Sequence, residues 1–155
     1  MIKRVRNVKF ERMLEGTMIC EMVSVLDVAA TQGKIQACET GWQGEINACN
    51  AEIEKYTNLI NEIKGKRQEA SELKAIINSD ITAINNANIQ HPDTKIDICP
   101  ECLEDMIGSY DSMMSQCQSS ISKWQAKKTK AEQNKAKCAT DAANKVYKEQ
   151  LSCHY

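Results

Sequence analysis

Apolar residues recur along the middle of the chain at a spacing that alternates three and four: Ile46, Cys49, Ile53, Tyr56, Ile60, Ile63, then Ala70, Ile77, Ile81 and Ile84. Arg67 and Lys74 occupy the two remaining positions of the series. This is the seam of a heptad repeat, with the residues between its positions facing water. Sustained over more than five heptads, it predicts one helix of roughly 60 Å at ~1.5 Å per residue. A second series, Ile107, Tyr110, Met114, Cys117, Ile121 and Trp124, has the same spacing and continues more weakly through Lys128, Ala131, Lys135, Cys138 and Ala142. It predicts a second helix from about Pro100 to about Gln150.

Between the seams lies NIQHPDTKIDICP, residues 88–100, which holds both prolines and few helix formers and so predicts the turn. Asp93 or Asp97 is expected to cap the second helix, with Pro100 in its first turn and acids following. Two seams of similar length joined by one short loop make an antiparallel hairpin, in which the numbers of facing residues add to a constant. A constant of 184 sets Ile77 against Ile107, Ile63 against Ile121 and Ile60 against Trp124. A constant of 191 sets Arg67 against Trp124 and Lys128 against Ile63. The first buries more apolar surface and is preferred.

Upstream, residues 10–32 carry Phe10, Met13, Leu14, Met18, Ile19, Met22, Val23, Leu26 and Ala30 at helical spacing. This Met-rich stripe predicts a further helix that folds back on the hairpin or docks on another subunit, with Met13, Met18, Met22, Val23 and Leu26 as the partner surface. Gly33 or GWQG at 41–44 either breaks the helix or is absorbed, since an isolated glycine costs ~1 kcal/mol. The expected fold class is therefore all-α: a long antiparallel coiled-coil helical hairpin with an additional N-terminal helix. The expected domains are an N-terminal basic segment and amphipathic helix over 1–44 and the hairpin over 45–153, with its turn near 88–99.

Composition agrees with long helices. The chain has 155 residues, 42% of them hydrophobic, but only 5% aromatic, with six glycines and two prolines. Formal net charge is −1, which gives no overall drive towards nucleic acid or a membrane. Charge is segregated, however. Residues 1–12 are basic, residues 93–111 carry six acids against Lys95, and residues 123–148 carry eight lysines against Glu132 and Asp141. These patches are solvated helix faces or attract one another and neighbouring subunits. The lysine-rich stretch 123–137 has one aromatic, Trp124, better used in the seam, so nucleic acid is not expected as a partner. The basic start lacks the apolar run of a secretory signal, and no segment has the ~20 apolar residues of a membrane span. Localisation is thus cytoplasmic by default, unless the chain belongs to an assembly exported by another route or to an oxidising organelle.

Eight cysteines are many for a reducing compartment. Cys99 and Cys102, in the stretch CPEC, invite three readings. Zinc needs four ligands, of which C-x2-C supplies two; His91 and Cys117 are the nearest others, with Cys153 and His154 more distant. Thioredoxin-like redox work also uses C-x2-C at a helix N-terminus, but no βαβ pattern accompanies it here. The preferred reading is a structural role in the turn, as thiols or in a disulfide. Cys38 and Cys49 are separated by ten residues and Cys138 and Cys153 by fourteen. A hairpin stapled by Cys38–Cys153 and Cys49–Cys138 is similar to the paired C-x(n)-C helical hairpin proteins of oxidising compartments. The alternative is cysteine as a small apolar seam residue, where Cys49, Cys117 and Cys138 already fall.

With a hairpin after it, the start MIKRVRNVK resembles the export-stalk proteins of type III secretion and flagellar systems. That resemblance implies a small antiparallel coiled coil that contacts an export ATPase and escort chaperones. No Ser/His/Asp, paired-carboxylate or glycine-rich phosphate pattern stands out, so no catalytic or cofactor-binding residues are assigned. The expectation is a non-enzymatic structural or assembly subunit of a virion, secretion apparatus or organellar complex, with other protein subunits or further copies of itself as partners. The alternatives are an export-stalk or chaperone-like binding module and a disulfide-stapled or zinc-clipped hairpin.

Overall fold

The computed structural model describes residues 17–155 and the backbone of Val8 and Lys9. Met13 of the expected partner surface lies outside the described residues. Two long helices dominate: α1, Val28–Gln90, and α2, Pro100–Lys137. Three strands form one antiparallel sheet in the order β1 (Val8–Lys9), β2 (Ile19–Leu26) and β3 (Tyr147–His154). The chain divides into two compact units, Ile46–Thr129 and Met1–Glu45 with Lys130–Tyr155. No described helix is long and apolar enough to cross a membrane.

The Ile46–Thr129 unit is the helical hairpin, and its seams are those of the heptad pattern. Ile46, Cys49, Ile63, Ala70, Cys117 and Ile121 are buried. Ile53, Tyr56, Ile60, Arg67, Lys74, Ile77, Ile81, Ile84, Ile107, Tyr110, Met114 and Trp124 are half-buried. Two helices alone cover only one side of each seam, which is why so few positions close fully. Gly65 in this unit has nothing within 4 Å of where a Cβ would stand, so the helix simply runs through it.

The register differs from the expected constant of 184. Arg67 Nε donates to Asp111 Oδ1 at 2.6 Å, and Lys74 Nζ lies 2.6 Å from Glu104 Oε1, so both facing pairs add to 178. Seam positions nearest that value set Ile60 against Cys117, Ala70 against Ile107 and Ile77 against Pro100. The cause lies in the return of the chain. The last 13 residues of α1, from Asn78 to Gln90, climb ~20 Å as helix. After the 3-10 turn Pro92–Thr94, residues 95–99 return without helix. An extended chain covers that height in about six residues at ~3.3 Å each. Facing numbers therefore fall by about seven, one heptad. Asn88 holds the return in place: its Nδ2 donates to Ile96 O at 2.9 Å, and its Oδ1 accepts from Ile96 N at 2.7 Å. The polar seam residues then favour this register, since under 184 Arg67 would face Cys117 with no carboxylate within a turn.

In the other unit, the expected helix over residues 10–32 is corrected from Ile19 to Leu26, which is strand. β2 pairs with β3 along its whole length, from Ile19 opposite His154 to Leu26 opposite Tyr147. Ile19, Val23 and Val25 are β-branched and suit a pleated strand, but the deciding partner lies more than a hundred residues away. α2 likewise ends at Lys137 rather than near Gln150. Beyond it, Asn144 Nδ2 donates to Cys138 O at 3.0 Å, and Asp141 accepts from Ala143 N, which turns the chain into β3.

The start of α1 is tied to this sheet. Asp27 N donates to Val146 O, and the Asp27 carboxylate caps the helix by accepting from Ala30 N at 3.1 Å. The buried Thr31 hydroxyl accepts from Val146 N at 3.0 Å and donates to Val146 O at 3.4 Å. α1 passes through Gly33, Gly41 and Gly44 unbroken, each with open space where a Cβ would stand. Lys135 Nζ donates to Gln43 Oε1 at 2.7 Å and the Cys38–Cys138 bridge is nearby, which holds this stretch to α2 at less than the cost of breaking a long helix.

Candidate functional site

Six of the eight cysteines are bonded in pairs: Cys20–Cys153, Cys38–Cys138 and Cys99–Cys102. Cys49 and Cys117 are free and buried. The staples expected between Cys38 and Cys153 and between Cys49 and Cys138 are thus corrected in their pairing. Cys38 takes Cys138, Cys153 takes Cys20, and Cys49 is left as an apolar seam residue. The heptad shift lowers the facing numbers on α2, and the strand pairing carries Cys153 to β2.

Cys20 and Cys153 are exact cross-strand neighbours, with Cα atoms 4.1 Å apart, the closer spacing that antiparallel pairs offer at non-hydrogen-bonded positions. Cys38 and Cys138, whose Cα atoms are 5.9 Å apart, join α1 to the residue just after α2. Cys20 and Cys138 are each 1% exposed, so neither bridge is open on all sides. The two bridges close loops of 133 and 100 residues.

The third bridge is of another kind. Cys99 and Cys102 are only three residues apart and both are exposed. Cys99 directly precedes Pro100, the first residue of α2, and so takes the cap position expected for Asp93 or Asp97. Cys102 N donates to Cys99 Sγ at 3.2 Å, the geometry of an N-cap with sulfur as acceptor.

The proposed zinc set does not assemble. Cys99 and Cys102 share a bond, and Cys117 stands 15 residues along α2 from Cys102. At ~1.5 Å per residue that is ~22 Å, against zinc–sulfur bonds of ~2.3 Å. His91 is exposed just after α1. Among the described residues no group of three or more His, Cys, Asp or Glu is placed to hold a metal ion.

Of the expected partner surface, Met18 precedes β2 and is half-buried, while Met22, Val23 and Leu26 lie in β2. In a strand Met22 and Leu26 share one face and Val23 takes the other, so the single helical stripe does not exist. A surface missed in the sequence lies on the hairpin. Tyr56, Leu59 and Ile63 on α1 line a groove with Met113, Gln116 and Cys117 on α2. A second groove of the same unit lies between Ala70 and Leu73 on α1 and Leu103, Met106 and Tyr110 on α2. Leu59 is 38% exposed, Leu73 48%, Met106 44% and Met113 47%. The signal was present as apolar residues one step outside the seam: Leu59 and Leu73 lie two heptads apart, and Met106 and Met113 lie one apart.

Charge borders the hairpin unevenly. Hydrogen bonding to Asp111, with its charge, raises the pKa of Arg67, and hydrogen bonding to Lys74, with its charge, lowers that of Glu104. Lys127 Nζ sits 4.4 Å from the Trp124 ring centroid. Comparison with family models, curated proteins and solved structures finds no match to the chain.

Proposed function

We propose that this chain is a non-enzymatic structural or assembly subunit of a larger protein complex, acting through the packing surfaces of its helical hairpin. The observation that carries the reading is the two grooves of the Ile46–Thr129 unit. Leu59, Leu73, Met106 and Met113 flank half-covered seams with exposed apolar side chains. A helix from a neighbouring subunit laid along either groove covers both seams at once, which is how two-helix hairpins become bundles. The long-range bridges Cys20–Cys153 and Cys38–Cys138 support a durable subunit that matures where disulfides persist. An export-stalk module working beside a cytosolic ATPase would keep these thiols reduced.

A photocrosslinking side chain placed at Met113 in the native host tests this. The expected result is a discrete adduct to a protein partner, absent when the same group stands at Asn61 on the polar back of α1. No adduct at Met113, or equal adducts at both positions, overturns the reading. Acid-trapped thiols in the same cells separate the alternatives: six oxidised cysteines fit the stapled subunit, and eight free thiols fit the stalk.

A further inference from the structure

We propose that the Cys99–Cys102 disulfide is a reversible exchange site, which takes two electrons from a dithiol on a neutral or basic surface. Four features of this bridge set it apart from the other two. Both of its cysteines are exposed, whereas Cys20 and Cys138 are 1% exposed. It closes a separation of three residues, where the others close 133 and 100, so it restrains the unfolded chain least and is the bridge the fold depends on least. It sits in the first turn of a 38-residue helix, whose unpaired N–H groups and dipole favour negative charge. Finally, Cys102 N already donates to Cys99 Sγ, which is the contact a Cys99 thiolate needs.

The exchange balances without any further reactant. One thiolate of the dithiol attacks Cys102 Sγ, the Cys99–Cys102 bond breaks, and its electron pair stays on Cys99 Sγ beneath the helix N-terminus. The second thiol of the reductant then attacks the mixed disulfide. Cys102 leaves as thiolate, the reductant closes its own disulfide, and the two protons it has lost pass to Cys99 and Cys102. The sequence neighbours Asp97, Glu101 and Asp105 are acidic, and Glu104 is tied to Lys74. That field disfavours an anionic thiol and admits a neutral or cationic one.

The test uses the oxidised full-length chain and dithiothreitol under native conditions, with acid quench, alkylation and peptide mapping. Cys99 and Cys102 are expected to be labelled at least ten times faster than Cys20, Cys38, Cys138 and Cys153, and the cationic disulfide cystamine is expected to restore the bridge. In the Cys102→Ser variant, alkylation of Cys99 should reach half its maximal rate below pH ~8.5, the ordinary value for cysteine. Reduction no faster than that of Cys20–Cys153 overturns the proposal. So does a Cys99 thiol in that variant that titrates at or above the ordinary value, since an exposed but incidental bridge would give that result.

Discussion

Removing the Cys38–Cys138 bridge, by Cys38→Ala with Cys138→Ala, tests how the two long-range staples share the work of holding the fold. The bridge closes a loop of 100 residues, and by chain entropy it stabilises the native state by about 4.7 kcal/mol. With it closed, Cys20–Cys153 completes a ring of only the 33 residues by which the two separations, 133 and 100, differ. That ring contributes about 3.8 kcal/mol. With the inner bridge absent, the outer one closes its full loop of 133 residues and contributes about 5.0 kcal/mol. The net loss is therefore about 3.5 kcal/mol for the inner pair, about 3.8 for the outer pair and about 8.5 for both. The double loss exceeds the two single losses together by about 1.2 kcal/mol, because either bridge takes over part of the other's constraint. It also approaches the whole stability of an ordinary domain. Guanidinium unfolding without reductant, followed by circular dichroism, measures each value. The melting temperature of either single-bridge variant should fall by on the order of 10 °C. A loss below ~1 kcal/mol for either pair, or a double loss smaller than the two singles combined, would refute the nested-ring argument.

Other substitutions probe separate parts of the structure. Thr31→Val removes the hydroxyl that serves both backbone groups of Val146 and should cost ~1–3 kcal/mol in the same unfolding assay, whereas loss under ~0.5 kcal/mol would mean that water serves those groups equally well. Gly65→Ala, with open space around the added methyl, should raise stability by ~0.5–1 kcal/mol, and a destabilised variant would show that the helix needs flexibility there. Glu104 has its pKa lowered by Lys74 below its ordinary 4.5, so the pair's contribution is present above pH 4.5 and is lost as pH falls through the folded value. Melting temperature should accordingly fall more between pH 6 and pH 3 in the wild type than in Glu104→Gln, and parallel curves would show that the pair is silent.

The two helices were legible because a heptad seam is local and periodic. Every predicted seam position from Ile46 to Ile84 and from Ile107 to Trp124 is buried or half-buried, including the awkward Arg67 and Lys74. The chemistry of the turn was partly legible, since Pro92, Pro100 and C-x2-C mark it, but nothing local to that stretch says whether the two thiols are bonded to each other. The Met-rich segment was misread because Met18, Met22 and Leu26 satisfy helical spacing as well as the alternation of a strand. Only β3, brought from the other end of the chain, decides between them.

The sequence by itself therefore determined the two long packed helices and the place of the turn between them. Each follows from periodicity and composition within a few tens of residues. Tertiary structure decided the heptad register, the strands and the disulfide partners. The register turns on a return loop that rises twice as far per residue as a helix, and the pairing of β2 with β3 and the long-range bridges on contacts between residues a hundred or more positions apart, for which local spacing carries no energy term.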